Sequence, residues 1–325
     1  MPGVTTALPS TATLPPVDRC PICAGPLGGL AARSIDRLVT GDGPFDVHEC
    51  PRCELGVTRP RLTDEELGRY YSSDYYEAFC EWAAPRRVSP LRRARRRWRA
   101  FAAGRRTARP PFSLLIGTGQ GRVLDVGCGD GGLLAQFADA GWDAVGLDPS
   151  ETAIAAVRAR GLEAHAGTLG HHPWPPGSFD AVLFSHSLEH IPDPMAALEE
   201  AARLLAPGGA LAVVVPNWKT WQRRLFGGRW FSLDLPRHQQ HFSPTALRRA
   251  AERVGLAPIA VDTESNIISP AYSIHYLIAG RWTEGWKLWV AYGLALALFP
   301  LFALMDRRRG GDGCYLVARR PPAAA

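Results

Sequence analysis

The sequence predicts an α/β fold in which a mostly parallel sheet is covered by helices on both faces. From Arg122 onward, short runs of Val, Leu and Ala alternate with segments of helical pattern. Runs such as RVLDV and ALAVVV are apolar throughout, as is typical of parallel strands buried on both faces. The 325 residues, of which 46% are hydrophobic, are sufficient for one large α/β domain and a small appendage.

The individual elements follow from apolar runs, helix caps and turn residues, taken in chain order. The first strand ends at a glycine-rich turn, and Ser243 followed by Pro244 provides an N-cap and a first helical residue for the last of these helices. The predicted strands are 122–126, 144–147, 162–166, 179–185, 210–215 and 258–262, and the helices that separate them are 133–141, 151–160, 194–206 and 243–254.

Two closely spaced cysteine pairs predict a metal site near the N-terminus. Cys20 and Cys23 are separated by two residues, as are Cys50 and Cys53, and 26 residues lie between the pairs. Two tight turns that each carry two thiolates supply a tetrahedral set of zinc ligands, as in a zinc ribbon. Because four thiolates leave no open position for a substrate, we expect the zinc ion to be structural.

The positive net charge of the chain is concentrated in one segment. The net charge is +6, yet residues 86–109 alone contain 11 arginines and no acidic residue. This distribution excludes a protein that is basic over its whole surface. Within the segment an apolar stripe at helical spacing predicts an amphipathic helix, which either contacts phosphate groups or rests as a solvated linker on the main domain. The stripe consists of Leu91, Ala94, Trp98 and Phe101.

The N-terminal segment has neither a basic stretch nor an apolar core, so we expect no secretory signal and a cytoplasmic protein. The expected organisation has five parts. They are a disordered tail at 1–18, a zinc-ribbon module at 19–58, a helical lead-in with the arginine-rich segment at 59–118, the α/β domain at 119–320 and a disordered tail at 321–325.

A glycine-rich stretch after the first predicted strand indicates a nucleotide-type ligand. Gly127, Gly129 and Gly132 fit G-x-G-x-x-G, a pattern that also occurs in nicotinamide enzymes. Asp125 lies in the strand two residues before the first glycine, where a carboxylate would repel a pyrophosphate and attract a sulfonium or ammonium group. Asp148 ends the second strand and can accept the hydroxyls of a ribose. The two carboxylates therefore favour a cationic sulfur donor.

Five segments, in order and in register, resemble the class I S-adenosylmethionine-dependent methyltransferases. The resemblance implies a Rossmann-like sheet of seven strands with a reversed last strand, for which 314–319 (CYLVAR) is the candidate. With its cysteine pairs, the chain is similar to bacterial methyltransferases that carry a zinc-ribbon lead-in and act on sugars, glycan precursors or other secondary metabolites. The segments are VLDVGCGDGG (123–132), VGLDPS (145–150), FDAVLFSHSLEHIPDP (179–194), LLAPGGALAVVVPN (204–217) and DLPRHQQHFSP (234–244).

The resemblance also implies which residues bind the cofactor S-adenosylmethionine. Asp148 would hold the ribose, Pro149 would lie beside the adenine, and Thr168 stands where the family usually has an acid for the adenine amine. Ser185 and His186 would lie beside the sulfonium. The loop residues that would line the methionine part are Asp125, Gly127, Cys128, Gly129 and Gly131, with the Cys128 thiol expected to pack inward.

Histidine is the natural base for an acceptor that must lose a proton, because its pKa lies near neutral pH. The candidates are His186, Glu189 and His190 after the fourth strand, and His238 and His241 before the Ser243 cap. The spacing of the last two places them on one face if that segment forms a helical turn. A structural role for Glu189 and His190 in shaping the loop is the alternative.

The predicted reaction is methyl transfer to an oxygen or carbon of a small molecule, with a sugar, a glycan precursor or a lipid-linked metabolite as the favoured acceptor. Two alternatives remain. A zinc-ribbon methyltransferase acting on ribosomal RNA would use the arginine-rich segment to contact phosphate, although the motifs of base-modifying enzymes are missing. The second alternative is a non-catalytic scaffold that binds S-adenosylmethionine. The oligomeric state does not follow from the sequence.

An apolar segment precedes the last predicted strand. Residues 288–305 contain no charge and are followed by Asp306 and three arginines. If the strands before and after this segment pair in one sheet, the segment cannot cross a membrane once, because the last strand would then lie on the other side of the membrane. We therefore expect an apolar helical insertion at 266–309, which contacts the inner membrane face or a lipid-linked acceptor, or instead packs on the domain or on a second copy. Trp218, Trp221, Trp230 and Phe231 are expected either to stack on a substrate or to form a core.

Overall fold

The computed structural model describes residues 18–71, 111–116, 121–265 and 268–322 and contains a seven-stranded sheet. Its strands are β4 (Arg122–Val126), β5 (Asp143–Asp148), β6 (Glu163–Ala166), β7 (Phe179–Ser185), β8 (Leu205–Pro216), β10 (Ala257–Glu264) and β11 (Gly313–Arg319). Their order is β10-β11-β8-β7-β4-β5-β6, and β11 is antiparallel to both of its neighbours. The other neighbouring pairs are parallel, which confirms the predicted fold class and its reversed last strand.

Helices cover both faces of this sheet because consecutive strand residues point to opposite sides. Leu124 belongs to one apolar cluster and Val123 to another. The helices α5 and α7 pack in the first cluster, and α3 and α4 pack in the second. The helices are α1 (Asp64–Gly68), α2 (Phe112–Ile116), α3 (Gly132–Asp139), α4 (Glu151–Arg158), α5 (Pro194–Leu204), α6 (Trp221–Phe226), α7 (Pro244–Arg253), α8 (Ile268–Ala279), α9 (Trp286–Ala297) and α10 (Phe299–Arg309).

Side-chain caps fix where several of these helices begin. Ser150, Asp193 and Ser243 each accept a hydrogen bond from the backbone N–H three residues later. The largest difference from the predicted boundaries is in β8, which begins at Leu205, five residues before the predicted start. Leu205 pairs with Phe179 of β7 ahead of a bulge, so the proline- and glycine-containing run belongs to the strand.

A second, antiparallel sheet carries the cysteine pairs and includes a strand from the α/β region. Its strands β1 (Leu30–Ser34), β2 (Phe45–Glu49), β3 (Gly56–Arg59) and β9 (Gln240–His241) follow one another in the sheet. Because β9 lies within 119–320, this sheet crosses the predicted boundary between the two regions. We call residues 18–59 the ribbon.

The apolar insertion folds as three helices, α8, α9 and α10, between the paired strands β10 and β11. Within the described residues no single helix is long and apolar enough to span a membrane. Residues Trp286–Ala297 and Phe299–Arg308 satisfy that test only as a pair, with a bend of 59° between them. The return of the chain to the sheet agrees with the expected topology.

Several predictions concern residues outside the described ranges. These are the tail up to residue 17, the arginine-rich amphipathic helix with Leu91, Ala94, Trp98 and Phe101, and the last three residues. The remaining domain boundaries stay predictions.

Candidate functional site

The glycine-rich loop joins β4 to α3 and follows a path that requires glycine. Gly127, Gly129 and Gly131 have φ values of 76°, 53° and 75°. A Cβ on Gly127 would lie 2.5 Å from the Cβ of Ser187, so this loop approaches the chain after β7 very closely. Gly131 is the N-cap of α3, whose first N–H groups are available to a ligand.

Asp125 lies in β4, and its carboxyl group is buried near this loop. Only 1% of the residue is exposed, and Oδ1 has no hydrogen-bond partner among the residues that the structure describes. Burial, together with the charge of Asp148, raises the pKa of Asp125 to about 7. A nearby cation would stabilise the ionised form, so the site fits a ligand with a sulfonium or ammonium group.

Asp148 ends β5, and the backbone holds both of its carboxylate oxygens in place. Oδ2 accepts a hydrogen bond from the N–H of Gly129 at 3.0 Å, and Oδ1 accepts one from the N–H of Ser150 at 2.8 Å. Burial raises the pKa of Asp148 in spite of these bonds. Each carboxylate oxygen has two lone pairs, so this fixed group can also accept bonds from ribose hydroxyls.

The other predicted cofactor residues surround the loop in different environments. Pro149 and Thr168 are exposed just after β5 and β6, and Ser185 is half-buried at the end of β7. Cys128 is only 7% exposed, and its sulfur lies 2.7 Å from the position of a Cβ on Gly146. The Cys128 thiol therefore packs in the core, as expected, and only its backbone can face a ligand.

A second group of polar side chains combines His186, Glu189 and His190, which follow β7, with His238 from the loop before β9. We call these four residues the acceptor cluster, for the role that we propose. Glu189 is 1% exposed, and neither of its carboxylate oxygens has a hydrogen-bond partner within the described ranges. Oε1 of Glu189 lies 3.5 Å from Nδ1 of His186, an ion-pair distance if that histidine is protonated. The rings of His190 and His238 are in contact, with centroids 4.6 Å apart.

The charge state of this cluster follows from its surroundings. Burial by itself would raise the pKa of Glu189, but the neighbouring histidines, His186 first, outweigh it and lower that pKa. Desolvation and the nearby His238 lower the pKa of His190 to about 4, against the effect of Glu189. At pH 7 a carboxylate therefore lies beside a neutral imidazole, an arrangement that can accept a proton or hold a cation.

Three members of the acceptor cluster could hold a metal ion. Glu189, His190 and His238 each offer one ligand atom, and these atoms lie within 4.8 Å of one another. Glu189 and His190 lie about fifty residues before His238 in the sequence, and the fold brings the two segments together.

Ser187 connects the acceptor cluster to the glycine-rich loop. Its hydroxyl donates a hydrogen bond to the carbonyl of Val126 at 2.6 Å, directly before Gly127. The carboxyl ends of β4 and β7, which are neighbours in the sheet, thus lie next to each other. For the roles that we propose, we call the glycine-rich loop with Asp125 and Asp148 the donor side, and the acceptor cluster with its supporting loop the acceptor side.

His241 differs from the expected geometry. It belongs to the strand β9, not to a helical turn, and its ring centroid is 6.3 Å from that of His238. Burial lowers its pKa well below the ordinary value, and its Nε2 is 3.0 Å from the hydroxyl of Thr58. His241 therefore contacts the ribbon and does not join the potential metal-binding group.

The ribbon also holds the loop that carries His238. Thr58 donates a hydrogen bond to the carbonyl of His238 at 2.6 Å. Arg237 is fully buried and binds Asp36 at 2.8 Å and Asp234 at 2.5 Å. Asp36 precedes β2, so this ion-pair network joins the ribbon to the acceptor side of the site.

The four predicted metal-binding cysteines come together in the ribbon. Cys20, Cys23, Cys50 and Cys53 offer sulfur atoms within 4.8 Å of one another, and two of them are 3.7 Å apart. Both pairs sit in the same type of turn. The N–H groups of Ala24 and Glu54 bind the carbonyls of Cys20 and Cys50 at 2.8 and 2.9 Å, and both residues have positive φ. This repeated geometry fits a tetrahedral ion.

The aromatic residues near the site form a core. Trp218 is fully buried, and Trp230 and Trp221 are 2% and 8% exposed. They pack in a third apolar cluster with side chains of α8 and α9. Stacking of these rings on a substrate, one of the two expectations, does not fit their burial.

Residues 88–261 match the family described as Methyltransferase domain. The match covers more than half of the chain and includes both the glycine-rich loop and the acceptor cluster. The chain belongs to the class I S-adenosylmethionine-dependent methyltransferases.

Curated relatives agree with this assignment. The methyltransferase is 34% identical over 190 residues to the ubiquinone biosynthesis O-methyltransferase of Bordetella avium, covering 51% of this chain and 78% of the relative. It is 28% identical over 249 residues to the protein of the same name from Rhodopseudomonas palustris, covering 70% and 96%. Among solved structures, it is similar to an S-adenosylmethionine-dependent methyltransferase from Mesorhizobium loti, with 20% identity, a TM-score of 0.44 and coverage of 62% and 92%.

Several supporting residues of this methyltransferase site have no clear signal in the sequence. Tyr71 places its hydroxyl 2.9 Å from Nδ1 of His190. The ribbon residues Thr58 and Asp36 hold the His238 loop, Asp36 through its ion pair with Arg237. Tyr71, Thr58 and Asp36 belong to no motif that the sequence analysis identified.

Proposed function

We propose that the methyltransferase transfers a methyl group to a hydroxyl oxygen of a small, lipid-linked acceptor, such as a lipid-linked sugar. The observation that carries the proposal is the buried carboxylate of Glu189, which lies without a hydrogen-bond partner among the described residues and beside neutral histidine. A hydroxyl must lose a proton when its oxygen is methylated, and at pH 7 Glu189 and His190 are unprotonated and therefore available to accept one. The names of the curated relatives, which are O-methyltransferases, support oxygen as the methylated atom.

The residues of the donor side would bind and orient the cofactor. When bound, S-adenosylmethionine supplies an activated methyl group on a positively charged sulfur. Asp125 and Asp148 provide negative charge and ribose contacts, and the glycine-rich loop lets the backbone approach closely. Methyl transfer is an in-line displacement, so fixing both reactants in line and excluding water supplies most of the rate enhancement.

The acceptor cluster would hold the hydroxyl and its proton. Nδ1 of His190 is hydrogen-bonded to the hydroxyl of Tyr71, and Nδ1 of His238 lies 3.0 Å from the carbonyl of Ser232. In both histidines the other ring nitrogen, Nε2, is therefore the atom that can face the acceptor. The proton that leaves the hydroxyl would pass to this histidine pair, and the adjacent Glu189 carboxylate would balance the new positive charge.

Contacts of the apolar insertion support a lipid-linked acceptor. The N–H of Phe231 donates to the hydroxyl of Ser273 in α8 at 2.9 Å, and the hydroxyls of Ser232 and Ser269 are 3.3 Å apart. Ser232 also contacts His238. The apolar helices and the acceptor cluster therefore share one loop, so that an acceptor could place its head group at the cluster and its apolar tail along the insertion.

We also propose that the four cysteines bind one structural zinc ion. The matching turns and the converging sulfur atoms support this proposal. Its function would be to hold β3, and through Thr58 the carbonyl of His238, in place.

The proposed function is tested with S-adenosylmethionine that carries a deuterated methyl group. Lipid extracts and water-soluble extracts are incubated separately with the full-length protein, and labelled products are analysed by mass spectrometry. We expect labelled methyl ethers in the lipid extract. Label only on carbon or nitrogen, or only in RNA added as a third substrate, would contradict the proposal, and label only in the water-soluble extract would contradict its lipid part.

A further inference from the structure

The outer face of α9 is apolar, although its side chains are largely exposed in the described protein. Leu288, Ala291, Tyr292 and Ala295 form the inner face and are buried. On the opposite face Trp286 and Leu296 are 69% and 63% exposed, and Trp289, Val290 and Leu294 are also exposed. A surface helix of a soluble domain normally carries polar side chains at such positions.

The helix α10 extends this surface and ends it with positive charge. Phe299, Leu301 and Leu304 are exposed, with Leu301 at 53%. The exposed Arg307 and Arg308 follow. We call the exposed apolar residues of α9 and α10 the apolar surface.

The acidic residue next to these arginines in the chain, Asp306, points into the protein and not toward the apolar surface. Asp306 is 7% exposed, and its Oδ1 accepts a hydrogen bond from Nε1 of Trp221 at 2.6 Å. At the other end Lys287 is half-buried in the first turn of α9, while the exposed Arg281 and Glu284 of the preceding loop offset each other. The apolar surface is thus bordered by net positive charge.

We propose that the apolar surface docks on an anionic lipid bilayer, with α9 and α10 lying in the membrane interface. Tryptophan at one end and arginine at the other match the interfacial and headgroup regions, respectively. Symmetric pairing with a second copy would bring like charges together, whereas anionic headgroups attract them. Because β10 and β11 pair in one sheet, both ends of the insertion are on the same side, which excludes a single crossing.

Docking of the apolar surface on a membrane does not depend on the identity of the acceptor. It concerns where the protein binds, and it would hold for a water-soluble acceptor as well. Its experiment therefore measures binding to membranes without any methyl acceptor.

The test is co-sedimentation of the full-length protein with vesicles. Vesicles of equimolar phosphatidylglycerol and phosphatidylcholine are compared with vesicles of phosphatidylcholine alone. We expect the protein to pellet with the anionic vesicles and much less with the neutral ones, and we expect high salt to weaken the binding.

Two sets of variants distinguish the apolar contribution from the charged one. The double variant Leu296→Glu/Leu301→Glu should weaken vesicle binding by at least about tenfold, because it removes two buried apolar side chains from the bound state. The double variant Arg307→Ala/Arg308→Ala should weaken binding to anionic vesicles by about fivefold per arginine and leave binding to neutral vesicles unchanged. Ile259→Glu, at a β10 position that is 57% exposed, is the matched control and should bind like the unchanged protein.

Circular dichroism and calorimetric binding of S-adenosylmethionine establish that each variant is folded. The proposal is overturned if the unchanged protein pellets with neither vesicle. It is also overturned if Leu296→Glu/Leu301→Glu binds vesicles normally, or if light scattering shows a dimer that this double variant dissociates and that does not bind lipid.

Discussion

The donor side and the acceptor side of the site are adjacent in space but are built in opposite ways. The donor side lies within residues 125–148, one continuous stretch from β4 through α3 to β5. The acceptor side combines Glu189 and His190 with His238 and depends on the ribbon residues Asp36 and Thr58. The donor side is therefore a local structure, and the acceptor side is a product of long-range packing.

This difference has a functional meaning. A binding site for one common cofactor can be kept in a compact motif, because its ligand never changes. An acceptor site can vary when loops and appended modules around the same sheet vary. Damage to the ribbon or to the acceptor cluster should reduce methyl transfer and leave cofactor binding intact, and damage to the donor side should do the reverse.

The largest effect is expected for Glu189→Gln. Loss of the buried carboxylate removes the charge that balances a protonated histidine, so kcat should fall by about 10²- to 10⁴-fold. Steady-state kinetics measures turnover, and calorimetry measures the affinity for S-adenosylmethionine. This affinity should stay within about twofold of that of the wild-type protein. The exposed Glu199, changed to Gln, is the control. An equal loss of cofactor affinity in Glu189→Gln would contradict the division into two sides.

Removal of the ribbon metal should have the next largest effect. Metal analysis should find one zinc ion per chain, and a chelator should lower kcat/KM by about 100-fold, because the histidine loop would move away from its productive position. Calorimetry of the chelated protein should still show binding of S-adenosylmethionine. Undiminished turnover of the metal-free protein would mean that the ribbon does not position the acceptor side.

Asp125→Asn should affect the donor side alone. The affinity for S-adenosylmethionine should fall by about 10- to 100-fold, as for loss of a charged partner. In the unchanged protein this affinity should decrease as the pH falls below about 7, because Asp125 becomes protonated and no longer attracts a cation. This pH dependence should be absent in Asp125→Asn and present in the control Asp139→Asn, which changes an exposed carboxylate.

The same substitution should stabilise the cofactor-free protein. The pKa of Asp125 is raised to about 7 on folding, so the folded state holds a proton that the unfolded state has already released above about pH 4. The free energy of unfolding should therefore decrease as the pH rises from about 4 to about 7. Because Asn carries no charge, Asp125→Asn should recover on the order of 3 kcal/mol of that free energy at pH 8. Chemical denaturation at several pH values measures this, and a loss of stability at pH 8 would argue against a buried, strained carboxylate.

The smallest effect is expected for Thr58→Val. The substitution keeps the shape of the side chain and removes its contacts with His238 and His241, so the protein should lose about 1 kcal/mol of stability and about tenfold in kcat/KM. Thr152→Val on the exposed surface of α4 is the control. If Thr58→Val instead lowers the affinity for S-adenosylmethionine and leaves turnover unchanged, the prediction is wrong, and the ribbon stabilises the donor side of the site.

The sequence predicted the central sheet because its strands are local apolar runs. Residues 122–126 and 179–185 were predicted with the same bounds as β4 and β7. The start of β8 was missed because its first residues include Pro207 and two glycines, which usually end a strand, and pairing with β7 across a bulge overrides that preference. The predicted insertion was found as helices between β10 and β11.

The acceptor side was only partly predictable. His186, His190 and His238 were named from their positions after strands and before a cap, but their grouping with Glu189 depends on two segments about fifty residues apart. His241 was expected beside His238 on a helical turn, and pairing with β3 draws it into a strand instead. Trp218 and Trp230 could not be assigned from the sequence, because burial decides between a core and a binding surface.

By itself, the sequence determined the parallel sheet, the glycine-rich loop with Asp125 and Asp148, and the cysteine pairs, because each depends on residues close together in the chain. Only the tertiary structure decided that the ribbon shares a sheet with β9 and that the carboxylate of Glu189 is buried without a hydrogen-bond partner among the described residues. It also decided that the outer face of α9 is exposed. The reason is physical. Periodicity and spacing report local backbone geometry, whereas burial and long-range pairing depend on which distant segments pack together.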